Sequence, residues 1–135
     1  MAARVLRVPR AMTQHRQSLG ESGENLAVRE LTARGYAILA RRYRTRHGEI
    51  DIIAEHEGTL VFVEVRARAT AEFGRAAETV DDRKKRKVSA MAAEYLARHR
   101  ISNRPCRFDV VAIDGAEGPK PEITVYPGAF DAMGI

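Results

Sequence analysis

The feature that most constrains the fold of this chain is residues 48–68, a segment that predicts two β-strands joined by a tight turn. Both strands are rich in β-branched residues, and Glu57-Gly58 supplies the turn because glycine readily adopts a positive φ. A two-residue turn at this place pairs His56 with Thr59, and a four-residue turn gives the same register. All other pairs in the hairpin follow from this register.

The register predicts one apolar face and one face that carries opposed carboxylates. The apolar pairs are Ile50 with Val65, Ile52 with Val63 and Ala54 with Val61. The other face pairs Ile53 with Phe62, Asp51 with Glu64 and Glu49 with Arg66. Two adjacent carboxylates repel each other and become stable chiefly when a divalent cation lies between them. Asp51 and Glu64 are therefore a candidate metal site, and the alternative is an amphipathic hairpin whose polar face meets water.

Composition narrows the class of protein. A chain of 135 residues is long enough for one domain with a buried core, and the single Cys106 excludes an internal disulfide. One cysteine fits a reducing compartment, so we expect a cytoplasmic protein, and no apolar run is long enough to predict a membrane span. The four histidines lack the spacing of zinc ligands. The formal net charge of +5 favours a polyanionic partner.

Residues 1–17 carry four arginines and no acidic residue, a composition that predicts a basic, disordered tail. Residues 18–135 then form a single domain that begins with a helix, predicted from Ser18 to Arg34. Glu24 falls on the apolar stripe of this helix. Its carboxylate either interacts favourably with the helix N-terminus or faces the sheet as part of a site, and the helix alone does not decide between the two.

A second predicted helix opens with five consecutive basic residues, Arg83-Lys84-Lys85-Arg86-Lys87. Positive charges near a helix N-terminus oppose the helix dipole, so stability alone does not explain the run. At about 100° per residue, Lys84 and Lys85 lie within about 60° of the centre of the apolar stripe, and the other three point outward. We expect Lys84, Lys85, Arg83 and Lys87 to contact nucleic-acid phosphates, with a solvated helix surface as the alternative.

Further strands are predicted at residues 36–44, 107–114 and 123–126, the last of them at an edge. The chain therefore reads helix, three strands, helix, strand and edge strand. This order predicts an α/β fold in which a mixed sheet is flanked by helices.

Several of these segments together resemble one family. They are Gly23-Glu24, GEIDIIA, LVFVEVR, the Phe73-Gly74 loop, Lys84 and RFDVV. The combination is similar to the YraN-like family of small bacterial proteins, which itself resembles the PD-(D/E)XK nuclease superfamily with its Holliday-junction resolvases. The resemblance covers residues 18–114 and implies a restriction-endonuclease-like αβββαβ core.

The resemblance also implies a metal-dependent DNA endonuclease, acting on branched or distorted DNA by analogy with the resolvases. Glu24, Asp51 and Glu64 match its acids, and together with the carbonyl of Val65 they would hold Mg²⁺ or Mn²⁺. Arg66 stands where the superfamily has the lysine of its E-x-K element. Arginine orients water or stabilises negative charge but is not a practical general base, and a structural ion pair across the hairpin is the alternative.

Two functions from different classes follow, namely the nuclease and a nucleic-acid-binding module that retains the nuclease fold with little or no activity. The complete acid set favours the enzyme, because a binding module does not need it. A protein that binds only a protein partner would leave the basic helix unexplained. The resolvase analogy also leads us to expect a homodimer, since a four-way junction presents two symmetric strands.

Overall fold

A computed structural model describes residues 10–68 and 82–130 of the chain. In chain order they form α1 (Arg10–Ala33), β1 (Ala37–Thr45), β2 (Gly48–His56), β3 (Thr59–Arg68), α2 (Asp82–Arg98), β4 (Cys106–Asp114) and β5 (Glu122–Phe130). The Phe73-Gly74 loop lies outside these ranges. Within them, no helix is long and apolar enough to cross a lipid bilayer.

The five strands form one mixed sheet in the order β1-β2-β3-β4-β5. Strands β3 and β4 are parallel, and the other neighbouring strands are antiparallel. Parallel neighbours need a long crossover connection, and the chain between β3 and β4 includes α2. The predicted mixed sheet and αβββαβ order are confirmed, and β5 extends the sheet beyond β4.

The two helices cover opposite faces of the sheet. Alternate residues of β3 pack on opposite faces of the sheet. Val61 and Val63 belong to an apolar cluster with α1, whereas Phe62 belongs to a cluster with α2. Phe62 and Phe108 are fully buried together beneath α2. Burying one such side chain stabilises the fold by roughly 1.5–3 kcal/mol, so the central strands supply most of the core.

The helix α1 begins at Arg10 rather than at Ser18 as predicted. The segment between these two residues contains no glycine or proline, so nothing in it stops the helix. Residues 10–17 of the predicted tail therefore continue α1, and residues 1–9 lie outside the described part of the chain. The disorder of the tail and the single-domain organisation stay predictions.

The predicted hairpin register is confirmed around the turn. The paired residues of β2 and β3 are Ile52–Val63, Ile53–Phe62, Ala54–Val61, Glu55–Leu60 and His56–Thr59. The turn residues Glu57 and Gly58 both have positive φ, 51° and 82°, as the two central residues of a type I′ turn require. The turn chemistry thus determined the pairing of the two central strands.

The helix α1 approaches β3 most closely at Gly23. A Cβ atom at this position would lie 2.7 Å from the Cβ of Ala67, a distance that real Cβ atoms essentially never show. Glycine at this point therefore lets α1 pack tightly on the sheet, which sets the position of the next residue, Glu24.

Gly23→Ala should destabilise the protein by about 1 kcal/mol, because the strain of overpacking exceeds the gain of about 1 kcal/mol in helix propensity. In an Ala67→Gly background the same substitution should instead stabilise it, since the obstructing methyl group is gone. Urea denaturation of the four proteins measures both effects. A Gly23→Ala effect of the same sign in both backgrounds would contradict the contact.

Candidate functional site

Asp51 and Glu64 come together where the ladder between β2 and β3 ends. The last paired residues are Ile52 and Val63. Immediately beyond them, the backbone N–H of Val65 donates a 2.8 Å hydrogen bond to Oδ2 of Asp51. The carboxylate thus takes the place that a backbone carbonyl would have in a continued ladder. The ladder ends before the predicted pair of Asp51 and Glu64, and the hydrogen bond to Val65 instead holds Asp51 beside the backbone next to Glu64.

The alternation of faces in β2 is interrupted at Asp51. Ile52 packs in the apolar cluster with α1, whereas Ile50 packs in the cluster with α2. In a regular strand, residues two apart lie on the same face. Our prediction that Ile50 and Ile52 share a face is therefore wrong, because the backbone turns over between them.

The neighbouring strand β1 turns over at the same level. Arg42 has φ 52°, a left-handed conformation that costs a non-glycine residue roughly 1–2 kcal/mol. As a result, the adjacent Arg41 and Arg42 reach the same carboxylate, and their Nε atoms donate hydrogen bonds of 3.0 and 2.7 Å to Glu24. Adjacent residues of a regular strand point to opposite faces, so one of these contacts depends on the unusual φ.

Glu24 lies buried between α1 and β1. Because α1 begins at Arg10, Glu24 is in the middle of the helix and far from the first turn, where the helix dipole acts. The alternative of an interaction with the helix N-terminus is therefore wrong. Two arginines pair with the Glu24 carboxylate. The negative charge of Glu24 also acts on the acid pair, since it contributes to raising the pKa of Asp51.

The electrostatics of the acid pair favour protonation of one carboxyl group. Burial, and then repulsion from Glu64, raises the pKa of Asp51 to about 7, while the hydrogen bond from Val65 and the charge of Lys84 oppose the shift. Asp51 therefore exchanges its proton near neutral pH.

Two cations contact one oxygen of Glu64. Nζ of Lys84 lies 3.2 Å from Oε2, and Nη1 of Arg66 lies 3.6 Å from the same atom. Lys84 arrives from α2 and Arg66 from β3, so the site combines a lysine and an arginine from different elements. Glu49 pairs with Arg44 at 3.1 Å, so the predicted structural pairing of Glu49 with Arg66 is wrong.

The other residues of the basic run have different surroundings. Lys84 and Lys85 are both only partly exposed, as the helical spacing predicted, and Nζ of Lys85 lies 3.9 Å from Asp82 of the same helix. Arg83 and Lys87 are exposed. Of the four cations predicted to bind nucleic acid, Lys84 is the one with an ion pair to the acid site.

A second polar cluster, which sequence reasoning missed, lies nearer the turn between β2 and β3. Asp109 is fully buried and accepts hydrogen bonds from Tyr36 Oη, Arg107 Nε and the Gly128 backbone N–H, at 2.7, 2.8 and 3.0 Å. Burial and the Asp109 carboxylate raise the pKa of Tyr36 to about 12. The tyrosine ring stacks on His56. An aspartate within the apolar run of β4 was the available signal, and its fully satisfied hydrogen bonds indicate a structural role.

Comparison with known proteins identifies the family. The model of the uncharacterised protein family UPF0102 matches residues 23–113. The chain belongs to this family. The chain is 50% identical to the UPF0102 protein of Roseiflexus castenholzii over 122 residues, which cover 89% of this chain and 98% of that protein. The UPF0102 protein of Myxococcus xanthus is 40% identical over 123 residues, covering 91% and 97% of the two chains.

The predicted membership of the YraN-like family, which is UPF0102, is confirmed. The UPF0102 match includes the acid pair, Glu24 and the basic run of α2, and it ends before β5. The candidate site therefore lies entirely within the part of the chain that defines the family.

The raised pKa of Asp51 predicts a pH-dependent stability difference. Since the unfolded carboxyl group ionises at about pH 4 and the folded one at about pH 7, wild-type stability present in acid is lost as the pH rises through 7. The variant Asp51→Asn does not lose stability in this way, because its amide does not ionise. Its Tm should exceed that of the wild type by several degrees at about pH 8 and by less at about pH 5. Calorimetry in chelator measures this, and equal differences at both pH values would contradict the shift.

The left-handed Arg42 should hold Asp51 in its contact with Val65. Arg42→Val should raise the hydrogen-exchange rate of the Val65 amide about tenfold, because β-branched residues strongly resist positive φ. Arg42→Asn should change it much less, since asparagine tolerates this conformation. Exchange at Val61, within the regular ladder, controls for global destabilisation. Equal increases of the Val65 exchange rate in the two variants would contradict this prediction, because they would show that the conformation of Arg42 does not hold Asp51 in place.

Proposed function

We propose that this protein is a metal-dependent endonuclease that hydrolyses phosphodiester bonds in DNA at the acid pair. The observation that carries the proposal is the 2.8 Å hydrogen bond that holds Asp51 at the backbone of Val65, next to Glu64, whose shielded carboxylate contacts the ammonium group of Lys84. Like charges in a shielded place destabilise a fold unless a cation or proton lies between them. By analogy with resolvases, branched or distorted DNA is the substrate, and a homodimer is the assembly.

The oxygen donors at the acid pair suit a hard divalent ion that needs few ligands from the protein. In the two described stretches of the chain, no group of three or more His, Cys, Asp or Glu side chains is arranged to hold a metal. Asp51 and Glu64, with the carbonyl of Val65, would leave half of the octahedral positions to water and phosphate, and Mg²⁺ usually keeps several waters in proteins. Mn²⁺ accepts the same oxygen ligands. When bound, such an ion polarises phosphate and lowers the pKa of water.

Glu24 fits an indirect role better than that of a ligand. Both of its carboxylate oxygens accept hydrogen bonds from arginines, Oε2 from Arg41 and Oε1 from Arg42. A contact between Glu24 and the ion would therefore run through water, and the direct effect of Glu24 is to fix β1 beside Asp51.

Lys84 supplies the ammonium group that the E-x-K element of the superfamily supplies from its strand. It contacts Glu64, the acid of that element, although it belongs to α2. In this position the ammonium group orients the attacking water and stabilises charge on the phosphate. Arg66, on the same oxygen of Glu64, adds a second cation for the transition state without acting as a base.

The second candidate function is a nucleic-acid-binding module without activity. It is favoured by Arg66 in the lysine position and by a metal site limited to two carboxylate side chains. In that case the basic run of α2 would bind phosphates through Arg83, Lys84, Lys85 and Lys87, and the acid pair would be a remnant.

Purified protein should cut at least one of linear, flapped and four-way-junction DNA with Mg²⁺ or Mn²⁺, and not with chelator. Asp51→Asn and Glu64→Gln should each lower the rate at least about 100-fold, and Lys84→Met by a comparable factor. Glu55→Gln, another acid of β2 with a partly exposed side chain, is the matched control and should retain the wild-type rate. Gel-resolved product formation measures all of them.

Cleavage that persists in both acid variants, or in chelator, would show that the acid pair is not the catalytic site. DNA binding without cleavage of any substrate would instead support the binding module. Arg66→Lys is a useful companion, because a faster rate would show that a lysine on β3 still has access to the attacking water.

A further inference from the structure

One flank of α2 carries a row of charged side chains, most of them cations. At about 100° per residue, four side chains of α2 fall within about 60° of the helix circumference. They are Arg83, Lys87, Glu94 and Arg98. Together with Arg46, which lies between β1 and β2, we call these residues the turn-side row.

The turn between β1 and β2 is fixed against this flank of the helix. Gly48 has φ 134°, and a Cβ atom there would lie 3.2 Å from Cε of Lys87 and 3.6 Å from Sδ of Met91. Thr45 Oγ1 bonds within the turn, accepting from the His47 N–H at 3.0 Å and donating to the Gly48 carbonyl at 2.8 Å. Helix and turn therefore present one continuous surface.

Glu94 organises the far end of the turn-side row. Its carboxylate accepts hydrogen bonds from the backbone N–H and Nε of Arg46, at 3.4 and 3.3 Å, and from Nη2 of Arg98 at 3.4 Å. Arg98 also donates to the Tyr43 hydroxyl at 3.2 Å, with its guanidinium 5.8 Å from that ring's centroid.

These contacts cover the anion and expose the cations. The side chain of Glu94 is 11% exposed, whereas those of Arg46 and Arg98 are 83% and 58% exposed. An ion pair with so exposed a partner adds little to stability, so the fold itself gives little reason for two arginines on one carboxylate. The arrangement instead holds two guanidinium groups ready for an external anion, which lowers the entropy that binding must remove.

The length and chemistry of the row indicate its partner. From Lys84, which contacts Glu64, to Arg98 the helix extends about 21 Å, the length of about six base pairs along a duplex axis. Single-strand sites use exposed aromatic rings on which bases stack. Among described residues, the large hydrophobic side chains that are exposed are Leu39 and Tyr126, and neither belongs to the row. The row is therefore suited to phosphates on the outside of a duplex.

We propose that the turn-side row binds the backbone of a duplex segment on one side of the phosphate at the acid pair. The proposal rests on the proposed function for its nucleic-acid partner, and it adds Arg46 and Arg98 to the predicted basic run. Cleavage would then require several paired bases on that side of the cut.

The test measures binding of the full chain to a short labelled duplex in chelator, by fluorescence anisotropy over a range of salt concentrations. Arg46→Gln and Arg98→Gln should each weaken binding several-fold and reduce the slope of log K against log salt by about 0.9. Arg34→Gln is the matched control, since it removes one exposed arginine just after α1, on the opposite face of the sheet, and should change neither quantity. Unchanged Tm values confirm that all variants fold.

The outcomes separate this proposal from the nuclease. Unchanged affinity and slope in both row variants would overturn the row even if the wild type cuts DNA. A reduced slope in a protein that cuts nothing would support the row and reject the nuclease. Binding of single-stranded DNA as tightly as duplex, with the same losses in the variants, would overturn the assignment to duplex.

Discussion

The hydrogen bond between the Val65 backbone and Asp51 is the contact on which the candidate site depends. A regular ladder would have continued through this point and sent the next pair of side chains to predictable faces. The carboxylate ends the ladder instead and is itself held near Glu64. Ladder hydrogen bonds are nearly obligatory in a buried sheet, so only a strong acceptor could take this place.

A chain of packed groups supports this contact from the far side of the sheet. Gly23 lets α1 approach β3, the approach buries Glu24, and Glu24 gathers two adjacent arginines of β1. The left-handed Arg42 is compatible with the turned-over backbone of the neighbouring strand. Backbone strain of this kind persists only where surrounding contacts outweigh it, and such strain is concentrated at functional sites.

Much of the fold could be predicted from the sequence, because the strongest signals in the sequence are local. Glu57-Gly58 determined the central register, and the alternation of β3 separated the two cores. Asp51 and Glu64 were recognisable as carboxylates at positions where the sheet is otherwise apolar. The turned-over backbone was not predictable, because it requires Arg42 to adopt a conformation that its residue type disfavours.

Other features escaped prediction because they join distant parts of the chain. Lys84 reaches Glu64 only because α2 crosses the sheet at one particular angle, and helical periodicity alone placed Lys84 and Lys85 equally. Asp109 looked like a minor interruption of an apolar strand. Its partners Tyr36 and Gly128 are far from it in sequence, so its role depends on the assembled sheet.

The buried cluster around Asp109 makes the two ends of the hairpin differ in hydrogen bonding and charge. Near the turn, Tyr36, just before β1, and residues of β4 and β5 satisfy the buried carboxylate of Asp109 with hydrogen bonds. Toward the open end, β2 and β3 carry mutually repelling acids, and the ladder between these two strands has already stopped. The end of the hairpin near the turn is therefore held by hydrogen bonds, whereas its open end carries carboxylates that repel each other. Gain or loss of positive charge at the acid pair would therefore act on the open end of the hairpin, away from the hydrogen-bonded cluster around Asp109.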